Sequence, residues 1–274
     1  MVHLRACLGS CLGPMLRKTP KYERIAFVAS PAPEARKAMT LLAKRYGNVA
    51  PDKADVVVAL GGDGLMLRSL RSFMKSGKPI YGMHRGTVGF LMNEYQDGGL
   101  EERLAAAETS VIHPLVMRAR TSRGAVKQHY AINEVSLFRQ TYQVARLQIL
   151  VDSQKRLTEL MGDGVLVSTP AGSTAYNLSA QGPIIPIDAP LMALTAISPF
   201  RPRRWSGALI PDDLKIGFRV LDAIKRPVSA VADQHEVREV ATVEVSVDRT
   251  DTLTLLFDPE HSLDDRIAAE QFTV

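Results

Sequence analysis

The sequence predicts an α/β domain followed by an all-β domain, in a chain of 274 residues. Two observations lead to this expectation. Up to about residue 108, short apolar runs alternate with apolar residues at helical spacing, which is typical of β-α-β units and of a Rossmann-like parallel sheet. Beyond His113, short strands and turn residues dominate, which indicates an antiparallel, β-sandwich-like domain. We expect 21–114 to form the α/β domain, 115–255 the all-β domain, and 256–274 a tail that packs on the first domain.

The α/β half is predicted element by element. Apolar residues over 24–30 predict a strand, and a helix follows from Pro33 to Tyr46, because proline suits the first helical turn and Gly47 ends the helix. An apolar run at 56–60 predicts the second strand. A helix after Gly64, a strand over 79–83, and a helix over 97–108 with Leu100 and Leu104 on one face complete this half.

The all-β half is predicted from short apolar runs separated by turn residues. One hairpin turns at 121–124 and another at 152–155. A helix over 262–270 is expected in the tail, folding back on the first domain. The predicted strands cover 116–120, 126–139, 144–151, 214–221, 227–232 and 237–247.

Composition and charge limit the class of protein. A net charge of +5 and a sequence pI of about 9.2 suit an anionic ligand. The densest basic cluster, at 201–204, lacks interleaved aromatic residues, so we expect no nucleic-acid partner. No apolar run approaches the roughly 18 residues of a membrane span, so we expect no membrane partner. Cys7 and Cys11 are the only cysteines, which favours a reducing, cytoplasmic compartment, and we expect residues 1–20 to be a disordered extension.

Three glycines and an acid link the second strand to the next helix. Gly61, Gly62, Asp63 and Gly64 let the backbone approach a ligand closely, and the helix N-terminus that follows attracts phosphate. The loop is not a P-loop, because no Gly-Lys-Ser/Thr follows, and not a dinucleotide fingerprint, because the third glycine position is Leu67. It is either a nucleotide-phosphate site with its own acid or a turn in which Asp63 caps the helix.

A second glycine-flanked acid, Asp163, precedes a strand and a loop rich in hydroxyl groups. The loop offers directional hydrogen bonds that suit an adenine edge or a carboxamide, and an aromatic ring that suits a flat base. The alternative is a Ser/Thr-capped helix that begins near Ser173. The loop residues concerned are Ser168, Thr169, Ser173, Thr174, Tyr176 and Asn177.

Two polar residues, Asn133 and Glu134, interrupt the apolar stretch AINEVSLF at 131–138. Adjacent residues of a strand face opposite sides of a sheet, so one of the pair is expected on the core side. A buried carboxylate or amide needs a partner, and a ligand hydroxyl would supply one. The alternative is a glutamate that faces solvent on an edge strand.

Four segments resemble the NAD kinase family, in the family's order along the chain. They are LGGDG at 60–64, GTVGFL at 86–91, NE at 133–134, and the stretch from GDG to STPAGSTAY at 162–176. The resemblance covers nearly everything from about Tyr22 onward, and the STPAGSTAY block is highly specific. It implies an N-terminal α/β domain, a C-terminal all-β domain and a tail that returns to the first, in agreement with the composition.

The resemblance implies a phosphotransferase with an alcohol acceptor. It would move the terminal phosphoryl of ATP, or of polyphosphate, to the 2′-hydroxyl of the adenosine ribose of NAD, with Mg²⁺ or another divalent cation whose ligands the resemblance does not name. Asp63 would activate this hydroxyl or organise the metal. A homodimer or homotetramer is implied, whose NAD site borrows residues from a neighbour. The residues that would hold ATP and NAD are Gly61, Gly62, Gly64, Phe90, Asn133, Glu134, Asp163, Ser168, Thr174, Ala175, Tyr176 and Asp233.

The sequence departs from the family pattern at three places. Leu65 stands where the family usually has threonine, and His84 where it usually has asparagine. These changes concern the fine contacts of the loop, and with them the choice of phosphate donor, more than the reaction. Late in the β domain, the family's Asp-Gly pair is Asp233-Gln234 here. The next residue, His235, is either a ligand contact or an exposed histidine.

Two other functions could use the same residues. A lipid kinase of the diacylglycerol or sphingosine type resembles this family in its Gly-Gly-Asp-Gly loop, but it needs an apolar cleft, and the second loop here is rich in hydroxyl groups. A non-catalytic dinucleotide sensor would use the cleft without turnover. Substitution of Asp63 distinguishes these possibilities, because only catalysis needs a group that takes a proton.

Overall fold

The structure, a computed structural model, describes residues 22–85, 89–259 and 261–272. Its N-terminal half contains a sheet with helices packed on it, as the alternating pattern predicts. Every residue of the strand that leads into the glycine loop is buried, which is typical of a parallel strand covered on both faces. The strands of this half are β1 (Ile25–Ala29), β2 (Val56–Gly61), β3 (Ile80–His84) and β4 (Glu108–Ile112), and its helices are α1 (Pro33–Tyr46), α2 (Asp63–Phe73) and α3 (Leu100–Ala106).

A strand from near the C-terminus completes the first sheet. The order is β1-β2-β3-β17-β4, where β17 is Leu253–Phe257. β17 runs parallel to β3 and antiparallel to β4, and its Leu255 pairs with Ile80. The chain therefore returns to the first sheet at Leu253, whereas the sequence pattern ends the all-β domain at residue 255.

Helix α3 is shorter than the sequence predicts. The pattern indicates a helix over 97–108, but the backbone becomes helical only at Leu100, after Gly99 in the left-handed region with φ 70°. Leu100 and Leu104 are buried on one face, as expected. The helix ends before Glu108 because that residue begins β4 and pairs with Phe257 of β17. A pairing partner about 150 residues away therefore sets this boundary.

The second half consists of two antiparallel sheets of six strands each within the described residues. Their orders are β12-β11-β10-β7-β14-β15 and β6-β5-β16-β13-β8-β9, and the inward-facing residues of both form one apolar core. The strands are β5 (Leu115–Thr121), β6 (Val126–Ala131), β7 (Glu134–Arg139), β8 (Ala145–Val151), β9 (Gln154–Gly162), β10 (Gly164–Ser168), β11 (Leu191–Ile197), β12 (Gly207–Pro211), β13 (Ile216–Val220), β14 (Val228–Ala232), β15 (His235–Val237) and β16 (Val240–Val247).

Two stretches predicted as single strands are each divided between the sheets. The stretch 126–139 gives β6 in one sheet and β7 in the other, and 237–247 is likewise shared by β15 and β16. The prediction that Asn133 and Glu134 are neighbours on one strand is therefore wrong. Asn133 lies in the crossing between the sheets, and Glu134 is the first residue of β7.

The tail forms helix α5 (Leu263–Gln271), which returns to the first domain as predicted. Ser262 and Asp265 form a capping box at its start. Leu263 and Ile267 are buried in one apolar cluster with Val57 and Phe257 of the first sheet. Among the residues that the structure describes, no helix is long and apolar enough to cross a membrane.

Candidate active site

The glycine loop joins the end of β2 to the start of α2. Gly61 packs closely against its neighbours, because a Cβ there would lie 2.9 Å from Leu65 Cδ2 and 3.2 Å from Ser30 Cβ. Among the described residues, none would lie within 4 Å of a Cβ on Gly62. Leu65, the departure from threonine, is half-buried and packs against the apolar cluster beneath the loop. The loop thus presents bare backbone and a helix N-terminus to the space above it.

Asp63 does not cap the helix, so that alternative is wrong. It is the first residue of α2, and the N-cap residue Gly62 has no side-chain cap. Instead, Asp63 Oδ2 accepts a hydrogen bond from Phe90 N at 2.8 Å, and Oδ1 accepts one from Leu91 N at 2.9 Å. The turn 89–91 therefore fixes the carboxylate at the mouth of the glycine loop.

Gly89 is the residue that lets this turn close on the carboxylate. A Cβ at Gly89 would lie 2.4 Å from Asp63 Oδ1, too close for any side chain. His84, the second departure from the family pattern, ends β3 beside Gly61, and its N–H donates to Asn93 O at 2.9 Å. Residues 86–88, which carry part of the predicted motif, lie outside the described residues.

Asp233 holds the crossing between the two sheets. Its carboxylate accepts hydrogen bonds from Ile132 N at 2.8 Å, Asn133 N at 3.0 Å and Glu134 N at 3.3 Å. Arg71 of α2 donates to the same carboxylate at 2.9 Å, and the Asp233 side chain is 2% exposed. Every one of these contacts is to the protein, so Asp233 shapes the backbone that presents Asn133 and Glu134.

Glu134 is the one predicted site residue with an unsatisfied buried oxygen. Its carboxylate accepts a hydrogen bond from the backbone N–H of Tyr176, but Oε2 is buried with no partner among the described residues. Burial, and then the charge of Asp233, raises the pKa of Glu134 from 4.5 to about 7, while the Tyr176 N–H opposes the shift. A buried acceptor without a donor is suited to a ligand hydroxyl.

The raised pKa of Glu134 makes stability depend on pH in a specific direction. A carboxyl that is harder to ionise when folded destabilises the fold as the pH rises from 4.5 to about 7, and the cost remains above that. Glu134→Gln removes this cost. At pH 8 we expect the variant to be more stable by on the order of 2 kcal/mol, or roughly 5 °C in Tm, and at pH 4.5 to match the parent.

Thermal melts of the ligand-free protein from pH 4.5 to 8 measure this difference. Glu34→Gln, at an exposed position in the first turn of α1, is the matched control and should show no such pH dependence. Equal melting of Glu134→Gln and the parent at every pH would show that the Glu134 carboxyl is not destabilised by its surroundings.

The hydroxyl groups of the second loop mainly hold the loop together. Ser168 is fully buried, and its single O–H is shared between Thr169 O at 3.0 Å and Asn133 O at 3.3 Å. Thr169 Oγ1 donates to Ile132 O at 2.7 Å, and Ser173 Oγ donates to Pro170 O at 2.7 Å. The bonds of Ser168 and Thr169 attach the loop to the crossing at 132–133, and the bond of Ser173 closes the loop on itself.

The predicted capped helix near Ser173 does not form. The helix α4 (Tyr176–Ser179) is four residues long, and its N-cap residue Ala175 makes no side-chain cap. Asn177 is fully buried: its amide donates to Pro183 O at 2.8 Å and accepts from Thr195 Oγ1 at 2.7 Å. Thr174 and Ala175 are left half-buried at the surface of the loop.

Tyr176 marks where the acids of the second domain converge. The residue is 37% exposed, and burial, followed by the charges of Glu134 and Asp163, raises the pKa of its phenol. Asp163 lies between β9 and β10 and accepts from Arg139 Nε at 2.6 Å. The contacts and charge effects given above link Asn133, Glu134, Asp163, Ser168, Tyr176 and Asp233 in one region of the second domain, and Thr174 and Ala175 adjoin Tyr176 in the same loop.

The two groups of residues are joined through α2 and an apolar junction. Helix α2 carries Asp63 at its start and, two turns later, Arg71, which binds Asp233 of the second domain. Ile132 and Ala171 of the second domain share an apolar cluster with Met66 of α2. The glycine loop is thus fixed relative to the crossing at 132–134.

Two contributors were not predicted from the sequence. Arg71 acts through a long-range hydrogen bond, and Arg266 of α5 donates to Gly89 O and Phe90 O in the turn that holds Asp63. His235 is not an exposed histidine: it is half-buried and stacks on His129 with ring centroids 5.1 Å apart. Within the described part of the chain, no group of three or more His, Cys, Asp or Glu could hold a metal ion.

Comparison with known proteins identifies the family to which the chain belongs. The family profile of the ATP-NAD kinase N-terminal domain matches residues 21–103, and that of the ATP-NAD kinase C-terminal domain matches 132–257. The chain is 56% identical to the NAD kinase of Caulobacter vibrioides, with 94% of this chain and 100% of that protein aligned. It is 57% identical to the NAD kinase of Mesorhizobium japonicum, over 90% of this chain and 96% of that protein.

Solved structures support the same fold at lower identity. Yeast NADH kinase in complex with NADH superposes with a TM-score of 0.78 and 20% identity, over 92% of this chain and 87% of that one. An NAD kinase from Archaeoglobus fulgidus in complex with ATP superposes with a TM-score of 0.71 and 22% identity, over 90% of this chain and 98% of that one. On its sequence and its fold, the chain belongs to the ATP-NAD kinase family.

Proposed function

We propose that this protein transfers the terminal phosphoryl of ATP to the 2′-hydroxyl of the adenosine ribose of NAD and so forms NADP. The observation that carries the proposal is the position of the Asp63 carboxylate. Asp63 begins α2 beside the glycine loop, and the N–H groups of Phe90 and Leu91 hold its carboxylate in place. A helix N-terminus binds phosphate, and a fixed carboxylate beside it can act on an alcohol that attacks that phosphate.

The reaction needs positioning, charge stabilisation and one proton acceptor. The ribose 2′-oxygen forms a bond to the terminal phosphorus as the bond from that phosphorus to the bridging oxygen breaks, and ADP leaves. The proton of the 2′-hydroxyl passes to Asp63 when Asp63 serves as the base. Gly61, Gly62 and Gly64 contribute the backbone against which the phosphates lie, with the α2 N-terminus facing them.

The acceptor site is formed by the crossing at 132–134 and the loop at 168–176. Glu134 Oε2, buried and without a partner among the described residues, accepts a hydrogen bond from a hydroxyl of NAD. The ring of Tyr176 offers a flat face to one of the two bases of NAD. We propose that Asn133, Thr174, Ala175 and Asp163 line the same acceptor site. Ser168 and Asp233 serve it by holding the backbone of Asn133 in place.

The residues present fit a divalent cation that arrives with the nucleotide. Mg²⁺ usually binds through substrate phosphates and one or two carboxylates, rather than in a cage of protein ligands. Asp63 is the carboxylate at the phosphate loop, and from the described residues each of its oxygens accepts one hydrogen bond, which leaves lone pairs for an ion. Mg-ATP is therefore the proposed donor, with Asp63 as the residue that would contact the ion.

We also propose a homodimer or homotetramer in the cytoplasm. Strand β12 lies at the end of its sheet, and Leu209 on it and Phe200 before it are 49% and 45% exposed, which suits a contact with a second copy. The cysteine content of the sequence favours a reducing compartment. Light scattering during gel filtration measures the oligomeric state.

The acceptor can be tested with ATP labelled at its terminal phosphate. The protein is mixed with labelled Mg-ATP and, separately, with NAD, with NAD whose adenosine ribose lacks the 2′-hydroxyl, and with diacylglycerol vesicles. We expect label on NAD alone. Label on the deoxy analogue would contradict transfer to the 2′-oxygen, label on the lipid would indicate a lipid kinase, and binding of NAD without any transfer would indicate a sensor.

A further inference from the structure

Arg266 connects the C-terminal helix to the turn that holds Asp63. Its Nη1 donates to Gly89 O at 3.2 Å and to Phe90 O at 3.1 Å, and its Nε donates to His261 O at 3.1 Å. The guanidinium lies 5.3 Å from the centroid of the Phe257 ring, which supports it from β17. Leu263 and Ile267 on the same helix are buried, so the position of Arg266 is fixed by packing.

The carbonyls that Arg266 binds belong to the same peptide groups whose N–H groups bind Asp63. The peptide between Gly89 and Phe90 accepts from Arg266 through its carbonyl and donates to Asp63 through Phe90 N–H. The next peptide does the same, through Phe90 O and Leu91 N–H. Two peptide planes are therefore held between a cation and a carboxylate, and each hydrogen bond polarises the next.

We propose that Arg266 is a positioning residue for Asp63, acting through the two peptide groups of the turn 89–91. This inference rests on the proposed role of Asp63 in turnover. Without the guanidinium, the turn loses the two hydrogen bonds that orient the carbonyls of Gly89 and Phe90. The N–H groups of the same peptides are then no longer held in place, so the Asp63 carboxylate loses its fixed direction. A displacement of about 1 Å in a reacting group costs about 10²-fold in rate. The C-terminal helix thus helps to position Asp63 through the turn 89–91.

Two substitutions test the proposal by steady-state kinetics of NADP formation. Arg266→Met keeps the stem volume but removes the charge and the donors, and we expect kcat to fall about 10–100-fold with the KM values for NAD and ATP almost unchanged. Arg266→Lys keeps a charge and a donor for one carbonyl and should recover much of the loss. The control is Arg226→Met, because Arg226 also donates to a backbone carbonyl, Val144 O at 2.8 Å, but lies in the all-β domain away from the turn. This control should retain full kcat.

A double-mutant cycle with Asp63→Asn identifies the route of action. If Arg266 works through Asp63, Arg266→Met lowers kcat far less in the Asp63→Asn background than in the parent. Equal losses in both backgrounds would overturn the proposal, and so would a loss confined to KM. If Asp63→Asn alone left kcat unchanged, Asp63 would have no role in turnover. This result is obtained from the single variant, before Arg266 is altered, so the two failures are distinguishable. Circular dichroism melts of every variant exclude unfolding as the cause, with Arg266→Lys as the folded alternative.

Discussion

Asp63→Asn lowers the turnover number by about 10²–10⁴-fold, the range expected for the loss of a general base, while NAD still binds. Two N–H groups point at this side chain, and an asparagine offers them one oxygen and one NH₂ group in place of two oxygens. The variant therefore loses the negative charge, the proton acceptor and one of the two hydrogen bonds. Initial rates of NADP formation and calorimetric titration with NAD measure the two quantities separately.

The matched control is Asp55→Asn. The Asp55 carboxylate also accepts backbone hydrogen bonds, from Glu23 N at 3.3 Å and Arg24 N at 2.9 Å, but it precedes β2 at the end opposite the glycine loop. We expect this variant to keep the parental turnover number. Unchanged turnover in Asp63→Asn would refute a role for Asp63 in the reaction, and loss of NAD binding would show that its role is structural.

Gly89→Ala lowers turnover by about 10²-fold, because the added methyl group moves the carboxylate that the reaction needs. The Cβ would lie 2.4 Å from Asp63 Oδ1 and 3.0 Å from its Cγ, so the side chain must leave the two N–H groups that hold it. Hydrogen bonds to a charged group contribute about 1.5–3 kcal/mol each, so we also expect a lower Tm. Rates and thermal melts measure both effects.

Gly98→Ala is the control for this substitution. A Cβ at Gly98 would meet only the flexible end of Arg45, at 3.4 Å from Nη1, and the residue lies beyond the turn 89–91. This variant should keep both turnover and stability. If Gly89→Ala were as active as the parent, the turn seen in the structure would not be the one that holds Asp63 during the reaction.

The first domain could be predicted from the sequence because local signals determine its elements. Pro33 and Gly47 mark the ends of α1, and the apolar run before Gly61 becomes the fully buried strand β2. The same periodicity located α5, whose capping box at Ser262 is also local. Where the residues that fix a boundary lie close in sequence, the prediction and the structure agree.

The differences arise where residues far apart in sequence decide the local structure. The stretch 126–139 reads as one strand, yet Asp233, about 100 residues later, binds the N–H groups of 132–134 and lets the chain cross between sheets. The helix predicted to reach residue 108 ends early because Glu108 pairs with Phe257. Neither partner is visible in a local pattern.

The sequence predicts which types of residue form the site, but it does not predict what each side chain does there. Ser168 and Ser173 were predicted from a loop rich in hydroxyl groups, but their hydroxyl groups bind backbone carbonyls within the loop. Arg266 carries no motif, and its contacts appear only when α5 returns to the turn 89–91. A loop that must present exact backbone geometry uses its own polar side chains to hold it, because a buried hydroxyl without a partner is costly.

The central claim, that the glycine loop and the crossing at 132–134 form a single site for transfer from ATP to NAD, is tested most directly by measuring NADP. The protein is incubated with Mg-ATP and NAD, and the product is measured with a dehydrogenase that accepts only NADP. We expect NADP to accumulate in proportion to protein and time. No NADP above a control without the protein, from a sample that is folded by circular dichroism, would contradict the claim.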